Sequence, residues 1–303
     1  MLIYEGTKDK FLMSVEQDLI AIEIENNIYE IMHKKKKKNE FRAWENSMEY
    51  MYKVLNDQDI PSDAGIAIEY NIPQTSKRVD FLISGYGKKD DANVVLIELK
   101  QWDELEAVPG RDGLVQTYTG NAMRQVVHPS YQAWSYAMLI SDYNASVQEG
   151  MVSIFPCAYL HNYRRRKQDP IDARQYETYL EDAPAFTRGE VTKLRDFIKK
   201  SIRTGDNKEL IYKIDSGRIK PSKSLQDSIA KMLEGNREFI MLDEQKVVYK
   251  EILNEARCSE KKKKKRVLIV KGGPGTGKSV VAVNLLAKLT KEDQFCQYVS
   301  KNA

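Results

Sequence analysis

Two charged residues end one of the most apolar stretches of the sequence. The run VVLIELK, residues 94–100, has the composition of a buried strand and closes with Glu98 and Lys100. Side chains alternate between the two faces of a strand, so this carboxylate and this amine share one face at the strand end. Taken alone, the pair is either a solvated surface ion pair of little consequence or part of a site.

A second carboxylate precedes this run on another strand-like segment. Asp80 lies in RVDFLIS, residues 78–84, one loop before VVLIELK. Two adjacent carboxylates repel each other unless a divalent cation lies between them, and their hard oxygen atoms suit Mg²⁺ or Mn²⁺. Such an ion lowers the pKa of bound water and stabilises charge on a phosphate, while Lys100 can orient that water. Asp80, Glu98 and Lys100 therefore predict metal-dependent chemistry on a phosphodiester.

A glycine-rich turn in the C-terminal part predicts a nucleotide site. The run RVLIVKGGPGTGKSVVAVNLLAKL reads as an apolar strand, a turn and an apolar helix, and the turn fits G-x-x-x-x-G-K-[ST]. Backbone N–H groups of such a turn wrap a phosphate, Lys278 reaches the outer phosphates, and Ser279 offers its hydroxyl to magnesium. The expected cofactor is ATP. The phosphate-loop residues of this prediction are Gly272, Gly273, Gly275, Thr276, Gly277, Lys278 and Ser279.

The apolar periodicity predicts the elements that must position these residues. Spacing of three and four residues predicts helices over residues 14–32 and 40–55, and again from the proline of HPSYQ to about residue 142. Alternation and β-branched composition predict strands over 65–72, 78–84, 93–100 and 151–163. The glycine-bearing segment 103–120 is expected to be a loop. The fold class is therefore α/β, with the order helix, three strands, helix, strand.

Composition excludes several classes of protein. The three cysteines, Cys157, Cys258 and Cys296, are scattered and have no histidine cluster nearby, which argues against a zinc site or a disulfide framework and favours the reducing cytoplasm. No apolar run approaches the length of a membrane span. The net charge of +4 is too small to establish a polyanionic partner. Two lysine runs, 34–38 and 261–265, are either solvated loops or phosphate contacts.

The element order and the D, E-x-K pattern resemble the PD-(D/E)XK nuclease superfamily, whose core is αβββαβ. The stretch QAWSY, residues 132–136, resembles the Q-x-x-x-Y motif of RecB-type nucleases. The resemblance implies a restriction-endonuclease-like fold that binds Mg²⁺ or Mn²⁺. The catalytic residues that it implies are Asp80, Glu98, Lys100, Gln132 and Tyr136, and the metal-binding residues are Asp80, Glu98, Leu99 and Glu25, with Glu45 and Glu69 as alternatives to Glu25.

The C-terminal part resembles superfamily 1 helicases. Gln245 in FIMLDEQ resembles the glutamine that reads the adenine edge in those proteins, and QYVSKNA, residues 297–303, resembles their second strand and the segment after it. The whole chain resembles bacterial proteins that join a nuclease-like domain to a helicase-like ATPase. The expected division is a nuclease-like domain over 1–165, a helical connecting region over 166–235 and an incomplete P-loop ATPase over 236–303. Because the acid and arginines needed for hydrolysis are absent, we expect a fragment that does not turn over ATP.

Three functions compete on this evidence. The first is a metal-dependent DNA nuclease coupled to an ATP-driven helicase or translocase, acting in DNA repair or in defence against foreign DNA. The second is a catalytically silent nuclease-fold module that binds DNA and is gated by nucleotide. The third is a P-loop kinase, for which the sequence offers no acceptor site or lid. An RNA substrate is not excluded, and the sequence does not specify the oligomeric state.

Overall fold

The computed structural model describes residues 2–33, 38–73, 75–219, 241–273, 276–292, 294 and 296. Four predictions fall wholly or partly outside the described residues: the first lysine run up to residue 37, the end of the connecting region, Gly275 and the segment 297–303. The strands are β1 (Tyr4–Thr7), β2 (Gly65–Asn71), β3 (Arg78–Tyr86), β4 (Ala92–Lys100), β5 (Glu106–Ala107), β6 (Leu114–Thr119), β7 (Ala122–Val127), β8 (Ser153–Leu160) and β9 (Ala185–Thr187).

The helices surround and connect these strands. They are α1 (Lys8–Glu16), α2 (Ile20–Met32), α3 (Lys38–Leu55), α4 (Pro129–Tyr143), α5 (Ala145–Gln148), α6 (Glu177–Asp182), α7 (Val191–Ser201), α8 (Glu209–Asp215), α9 (Asp243–Lys262) and α10 (Lys278–Lys291). Two 3₁₀ turns, Pro170–Asp172 and Arg174–Tyr176, precede α6. No described helix combines the length and the apolar character that crossing a bilayer requires.

The main sheet is mixed and has the strand order β1-β2-β3-β4-β8-β9. Strands β1 to β4 pair with antiparallel neighbours, whereas β8 runs parallel to β4 and β9 parallel to β8. Helix α4 lies in sequence between β4 and β8, which supplies the long connection that a parallel pair needs. The α/β class is confirmed, and the order helix, three strands, helix, strand is present as α3, β2, β3, β4, α4 and β8.

The sheet is buried on both faces, and the two cores divide its side chains as alternation requires. Ile97 and Leu99 pack into the core under α1, α2 and α3, whereas Val94 and Leu96 pack against α4 on the opposite face. Residues beyond 165 belong to both cores: α7 contributes to the first and α8 to the second. Packing of the N-terminal unit therefore continues past the boundary expected at residue 165. The residues of α7 and α8 that do this are Leu194, Ile198, Leu210, Ile211 and Ile214.

Two elements differ from the sequence prediction. The helix expected over 14–32 is two helices, because the chain turns at Asp18, which adopts φ +56° after the end of α1. The loop expected over 103–120 contains β5 and β6, which form a second antiparallel sheet with β7. Gly120 and Asn121, at φ +56° and +62°, form the tight turn between β6 and β7, so Gly120 is the turn residue of a hairpin.

The C-terminal helices pack on each other and form a separate small core. Tyr249 and Leu253 of α9 contact Val281 and Leu285 of α10. The strand expected over residues 266–270 is not formed, so of the predicted strand, turn and helix the described residues show only the helix and parts of the turn. No described strand pairs with this segment, and Val267 and Ile269 are 87% and 79% exposed. An apolar run needs a neighbouring strand to satisfy its backbone, and none of the described strands provides one.

Candidate active site and nucleotide pocket

The strand register brings Asp80 and Glu98 together at one end of the main sheet. Phe81 on β3 pairs with Ile97 on β4, and the next position in the same register sets Asp80 opposite Glu98. The Leu99 N–H donates to Asp80 Oδ2 at 2.9 Å, which fixes this carboxylate against β4. The two predicted carboxylates are therefore adjacent, as alternation along the two strands requires.

Glu98 and Lys100 form an ion pair with little access to solvent. Lys100 Nζ lies 2.7 Å from Glu98 Oε1, and the two side chains are 15% and 2% exposed. Burial, followed by the charge of Asp80, raises the pKa of Glu98 well above its usual value, although Lys100 opposes the shift. For Lys100, burial lowers the pKa, but attraction to Glu98 and Asp80 outweighs it and the net shift is upward. Two carboxylates, those of Asp80 and Glu98, therefore lie beside one ammonium, which offsets their combined negative charge only in part.

This arrangement fits a divalent cation. Glu98 Oε2 is buried and, within the part of the chain that the structure describes, has no hydrogen-bond partner. A buried carboxylate oxygen without a donor is costly, and a cation shared with Asp80 would compensate it. Among the described residues no group of three or more His, Cys, Asp or Glu side chains is placed to hold a metal. The carboxylate donors available without rearrangement are therefore those of Asp80 and Glu98.

A third carboxylate, Glu69, lies next to this pair but is engaged elsewhere. On β2 it falls between the pairs Ile68↔Phe81 and Tyr70↔Val79, which places it opposite Asp80. It adopts φ +60°, a strained conformation for a residue with a side chain. Trp44 Nε1 donates to Glu69 Oε1 at 2.8 Å, and Arg78 forms an ion pair with Oε2.

A cavity of about 180 Å³ opens onto Asp80 and Glu69, whereas Glu98 and Lys100 are not among the residues that line it. It is lined by Trp44, Ser47, Glu69, Arg78, Asp80, Leu99 and Gln101, among others. Glu25 on α2 and Glu45 on α3, the other carboxylates considered from the sequence, do not line it. Of the three alternatives, the structure therefore brings Glu69 to Asp80.

Buried polar contacts hold α3 against the end of β4 beside this cavity. Gln101 Nε2 donates to the Ala43 carbonyl oxygen at 2.7 Å and to Ser47 Oγ at 3.0 Å. Ser47 Oγ also lies 3.1 Å from Nε2 of His161, whose ring stacks on Tyr50. Burial lowers the pKa of His161 to about 4, so this imidazole is neutral at pH 7. No local pattern in the sequence predicts this network, because its members lie on separate elements.

Helix α4 presents the Q-x-x-x-Y residues toward the same region. Gln132 Nε2 donates to Tyr136 Oη at 3.1 Å, and Tyr136 Oη donates to Asp243 Oδ2 at 2.9 Å. Burial raises the pKa of Tyr136, and the negative charges of Glu98 and Asp243 raise it further. Gln132 and Tyr136 thus contact each other as i, i+4 neighbours, and Tyr136 lies in the field of the buried carboxylate.

The described residues of the phosphate loop, 272–273 and 276–279, make hydrogen bonds among themselves and with Gln245. Lys278 Nζ donates to the carbonyl oxygens of Gly272 and Gly273 at 2.7 and 2.6 Å. Gln245 Nε2 donates to the Thr276 carbonyl oxygen at 3.0 Å, so the predicted adenine-reading residue does contact the loop. Gly277 at φ +77° needs to be glycine both for this conformation and because Gln245 packs where a Cβ would lie. Ser279 is exposed on the first turn of α10.

A larger cavity of about 450 Å³ lies against this loop, and part of its wall comes from the N-terminal unit. Residues 75–77, which connect β2 to β3, line it together with Gly272, Thr276 and Lys278. Lys77 Nζ lies 2.6 Å from Asp243 Oδ2 and 2.8 Å from Glu244 Oε2. Sequence reasoning missed Lys77 and Asp243, since neither belongs to a motif and they are far apart in the chain.

Comparison with known proteins gives one finding. The family described as Schlafen group 3, DNA/RNA helicase domain, matches residues 265–303, which include the phosphate loop. Neither the curated proteins nor the solved structures include a match to the chain. The C-terminal region is therefore similar to a helicase domain, and the N-terminal unit has no family match.

Proposed function

We propose that the N-terminal unit is a metal-dependent DNA nuclease and that the C-terminal region belongs to an ATP-driven helicase or translocase. The observation that supports the nuclease assignment best is the buried carboxylate of Glu98 beside half-buried Asp80, with Lys100 Nζ 2.7 Å from Glu98 Oε1. A surface ion pair would be exposed and weakly held. A buried, charge-crowded group at strand ends is instead typical of a functional site.

The chain's own residues divide the work of phosphodiester hydrolysis. Asp80 and Glu98 would hold Mg²⁺ or Mn²⁺ through their carboxylates. Leu99, which lies between Glu98 and Lys100 in the chain, is the third residue of this proposed metal site. When bound, such an ion supplies a bound water of lowered pKa and offsets charge on the phosphate. Lys100, kept protonated by Glu98 and Asp80, orients the attacking water and stabilises the negative charge that develops on the phosphate.

Two further groups position the substrate. Arg78, 32% exposed at the mouth of the smaller cavity, can turn from Glu69 to a phosphate oxygen. Gln132 keeps Tyr136 in place through the hydrogen bond between their side chains. Arg78 would recognise the phosphate backbone and not the bases, so it predicts cleavage with little sequence preference.

The helicase assignment depends on the family match and on the phosphate loop. The match over residues 265–303 supports an ATPase that acts on nucleic acid, and the loop with Gln245 against it supports binding of adenine nucleotide. DNA as the substrate and a role in repair or in defence against foreign DNA are parts of the proposal. The alternative is a silent nuclease-fold module that binds DNA under nucleotide control.

The decisive experiment is a cleavage assay on linear, circular and single-stranded DNA with Mg²⁺, with Mn²⁺ or with chelator. We expect cleavage only with a divalent cation, and its loss in Asp80→Ala and Glu98→Ala. Lys100→Ala should retain metal binding and lose rate by about 10²-fold or more, the scale of a lost electrostatic stabiliser. The control is Glu106→Gln, which changes an exposed carboxylate on β5. DNA binding without cleavage under every condition would favour the silent module, and full activity of Glu98→Ala would contradict the site.

A further inference from the structure

The loop between β2 and β3 forms one wall of the nucleotide pocket. Residues 75–77 line the same cavity of about 450 Å³ as Gly272, Thr276 and Lys278. The phosphate-loop motif accounts for one lysine at this cavity, Lys278, and for none of residues 75–77. The loop also leads directly into β3 and therefore to Asp80.

The charge of this pocket suits a polyphosphate. The described residues that line it include three lysines, Lys77, Lys271 and Lys278, and one acid, Glu244. Glu244 points into solvent, with a side chain 84% exposed, whereas the Lys77 side chain is only 17% exposed. Ammonium groups held at the wall of a cavity bind phosphate oxygens through charge-assisted hydrogen bonds.

Lys77 forms ion pairs with two carboxylates that differ in their exposure to solvent. Its pair with Glu244 is exposed and contributes little, while Asp243, 15% exposed, holds it from the more protected side. Burial lowers the pKa of Lys77, but hydrogen bonds to Asp243 and Glu244 outweigh burial and raise it. The amine is therefore charged at neutral pH and has three donors to exchange.

We infer that Lys77 is a phosphate-binding residue of the nucleotide site, and that it leaves Asp243 when a nucleoside triphosphate binds. Asp243 tolerates this exchange because Tyr136 also donates to the same oxygen, Oδ2. The nuclease-like unit thus contributes a side chain to the nucleotide site. The inference rests on the proposed nucleotide site and adds to it a residue outside the phosphate loop.

Competition between Asp243 and phosphate for one ammonium predicts opposite effects of two substitutions. Lys77→Ala should weaken binding of a non-hydrolysable ATP analogue about tenfold, the scale of a lost charged hydrogen bond, and change AMP binding less than about twofold. Asp243→Asn should tighten binding of the same analogue about threefold, because it releases Lys77. Lys77→Arg keeps the positive charge and should therefore retain most of the affinity that the unaltered chain has for the analogue. A purely structural pair would make both substitutions weaken binding.

The measurement is displacement of a fluorescent adenine nucleotide from the full chain at fixed free Mg²⁺. The matched control is Lys88→Ala, which removes an exposed lysine of the β3–β4 connection, and it should bind like the unaltered chain. Thermal melts check each variant, and Lys77→Gln gives a second measurement if Lys77→Ala unfolds more readily. Unchanged binding by Lys77→Ala or Lys77→Gln, or weaker binding by Asp243→Asn, would overturn the assignment of Lys77 alone. An unaltered chain that does not bind the analogue would overturn the nucleotide site itself.

Discussion

Glu69 has a conformation that its local sequence does not favour. A left-handed backbone costs a residue with a side chain about 1 kcal/mol or more, and strain of this kind is retained where the surroundings impose it. Here Trp44 and Arg78 hold the carboxylate in the cavity beside Asp80. If Arg78 moves to a substrate phosphate, Glu69 is released next to the other two carboxylates. This gives the site a third acid that depends on the substrate.

Substitution at Glu69 and at Glu25, two of the three candidates for the third carboxylate, should distinguish them. Glu69→Gln keeps an oxygen for the Trp44 N–H but removes the charge, so cleavage should fall about tenfold or more, with little change in melting temperature. Glu25→Gln, on a helix away from the cavity, should cleave at the unaltered rate. The measurement is the single-turnover rate with saturating Mg²⁺. A loss of cleavage rate in Glu25→Gln alone would show that the third carboxylate comes from α2 and not from Glu69.

The site was predictable from the sequence to the extent that strand geometry determines it. Alternation along β4 and the register with β3 bring Asp80, Glu98 and Lys100 together, and both follow from apolar patterns. Contacts between remote elements do not follow from any local pattern. Lys77 and Asp243 meet only after the C-terminal helices dock, and Glu69 reaches Asp80 through a backbone conformation that propensity would reject.

Among elements, α4 carries both packing and candidate functional residues. Gln132 is half-buried and bonds to Tyr136, whereas the Trp134 ring packs against Tyr131 and Tyr179, with centroids 5.5 and 5.7 Å away. Gln132→Ala should therefore reduce cleavage without lowering the melting temperature appreciably. Trp134→Ala should cost about 2–3 kcal/mol, since its ring is only partly buried. Melting curves measured beside cleavage rates test both, and equal losses of stability would count against a functional Gln132.

The start of α4 depends on a neutral histidine. His128 Nδ1 accepts from the Ser130 N–H at 3.1 Å, so the proton lies on Nε2, which donates to the Ile171 carbonyl oxygen at 3.0 Å. Burial lowers the pKa of His128 from 6.5 to about 4. As the pH falls, the imidazole of His128 becomes protonated in the unfolded chain before it does so in the folded chain. The stability contributed by neutral His128 is therefore complete above pH 6.5 and is lost as the pH falls toward 4.

The pH dependence of unfolding should show this residue directly. Between pH 6.5 and 4 its protonation should remove on the order of 3 kcal/mol, and buried His161, whose pKa is lowered for the same reason, adds a similar loss. His128→Asn retains a capping oxygen and should reduce the slope of stability against pH by about half. Identical slopes for His128→Asn and the unaltered chain would contradict a neutral cap.

Element prediction succeeded where a segment's own pattern suffices and failed where pairing decides. Helix α3, the strands β2 to β4, α4 and β8 were predicted from periodicity within a few residues. The hairpin of β6 and β7 was missed because glycines in a sequence indicate an irregular loop as readily as the tight turn of a hairpin. The apolar run 266–270 has strand composition yet forms no strand among the described residues, because a strand exists only with a partner.

At the scale of the whole molecule, α9 joins the two proposed activities. Its first residue, Asp243, bonds to Tyr136 and Lys77. Further along α9, Glu251 forms an ion pair of 2.8 Å with Arg111 of the N-terminal unit. The same helix packs on α10, which begins at the phosphate loop. The negative charge of Asp243 also helps to raise the pKa of Lys100. One carboxylate therefore acts electrostatically on Lys100 of the proposed nuclease site while it pairs with Lys77 at the proposed nucleotide pocket.

This shared carboxylate predicts that nucleotide tightens the binding of the nuclease metal. When Lys77 turns to the phosphates, the negative charge of Asp243 is no longer offset, and the local potential near Lys100 becomes more favourable to a cation. The free Mg²⁺ concentration that gives half-maximal cleavage should then fall about three- to fivefold on saturation with a non-hydrolysable ATP analogue. Free Mg²⁺ must be buffered, because the nucleotide itself binds the ion. Asp243→Asn and Lys77→Ala should each abolish the shift while the analogue is held at saturation, and Lys88→Ala should retain it. A shift that persists in Asp243→Asn would show that the two sites communicate by another route.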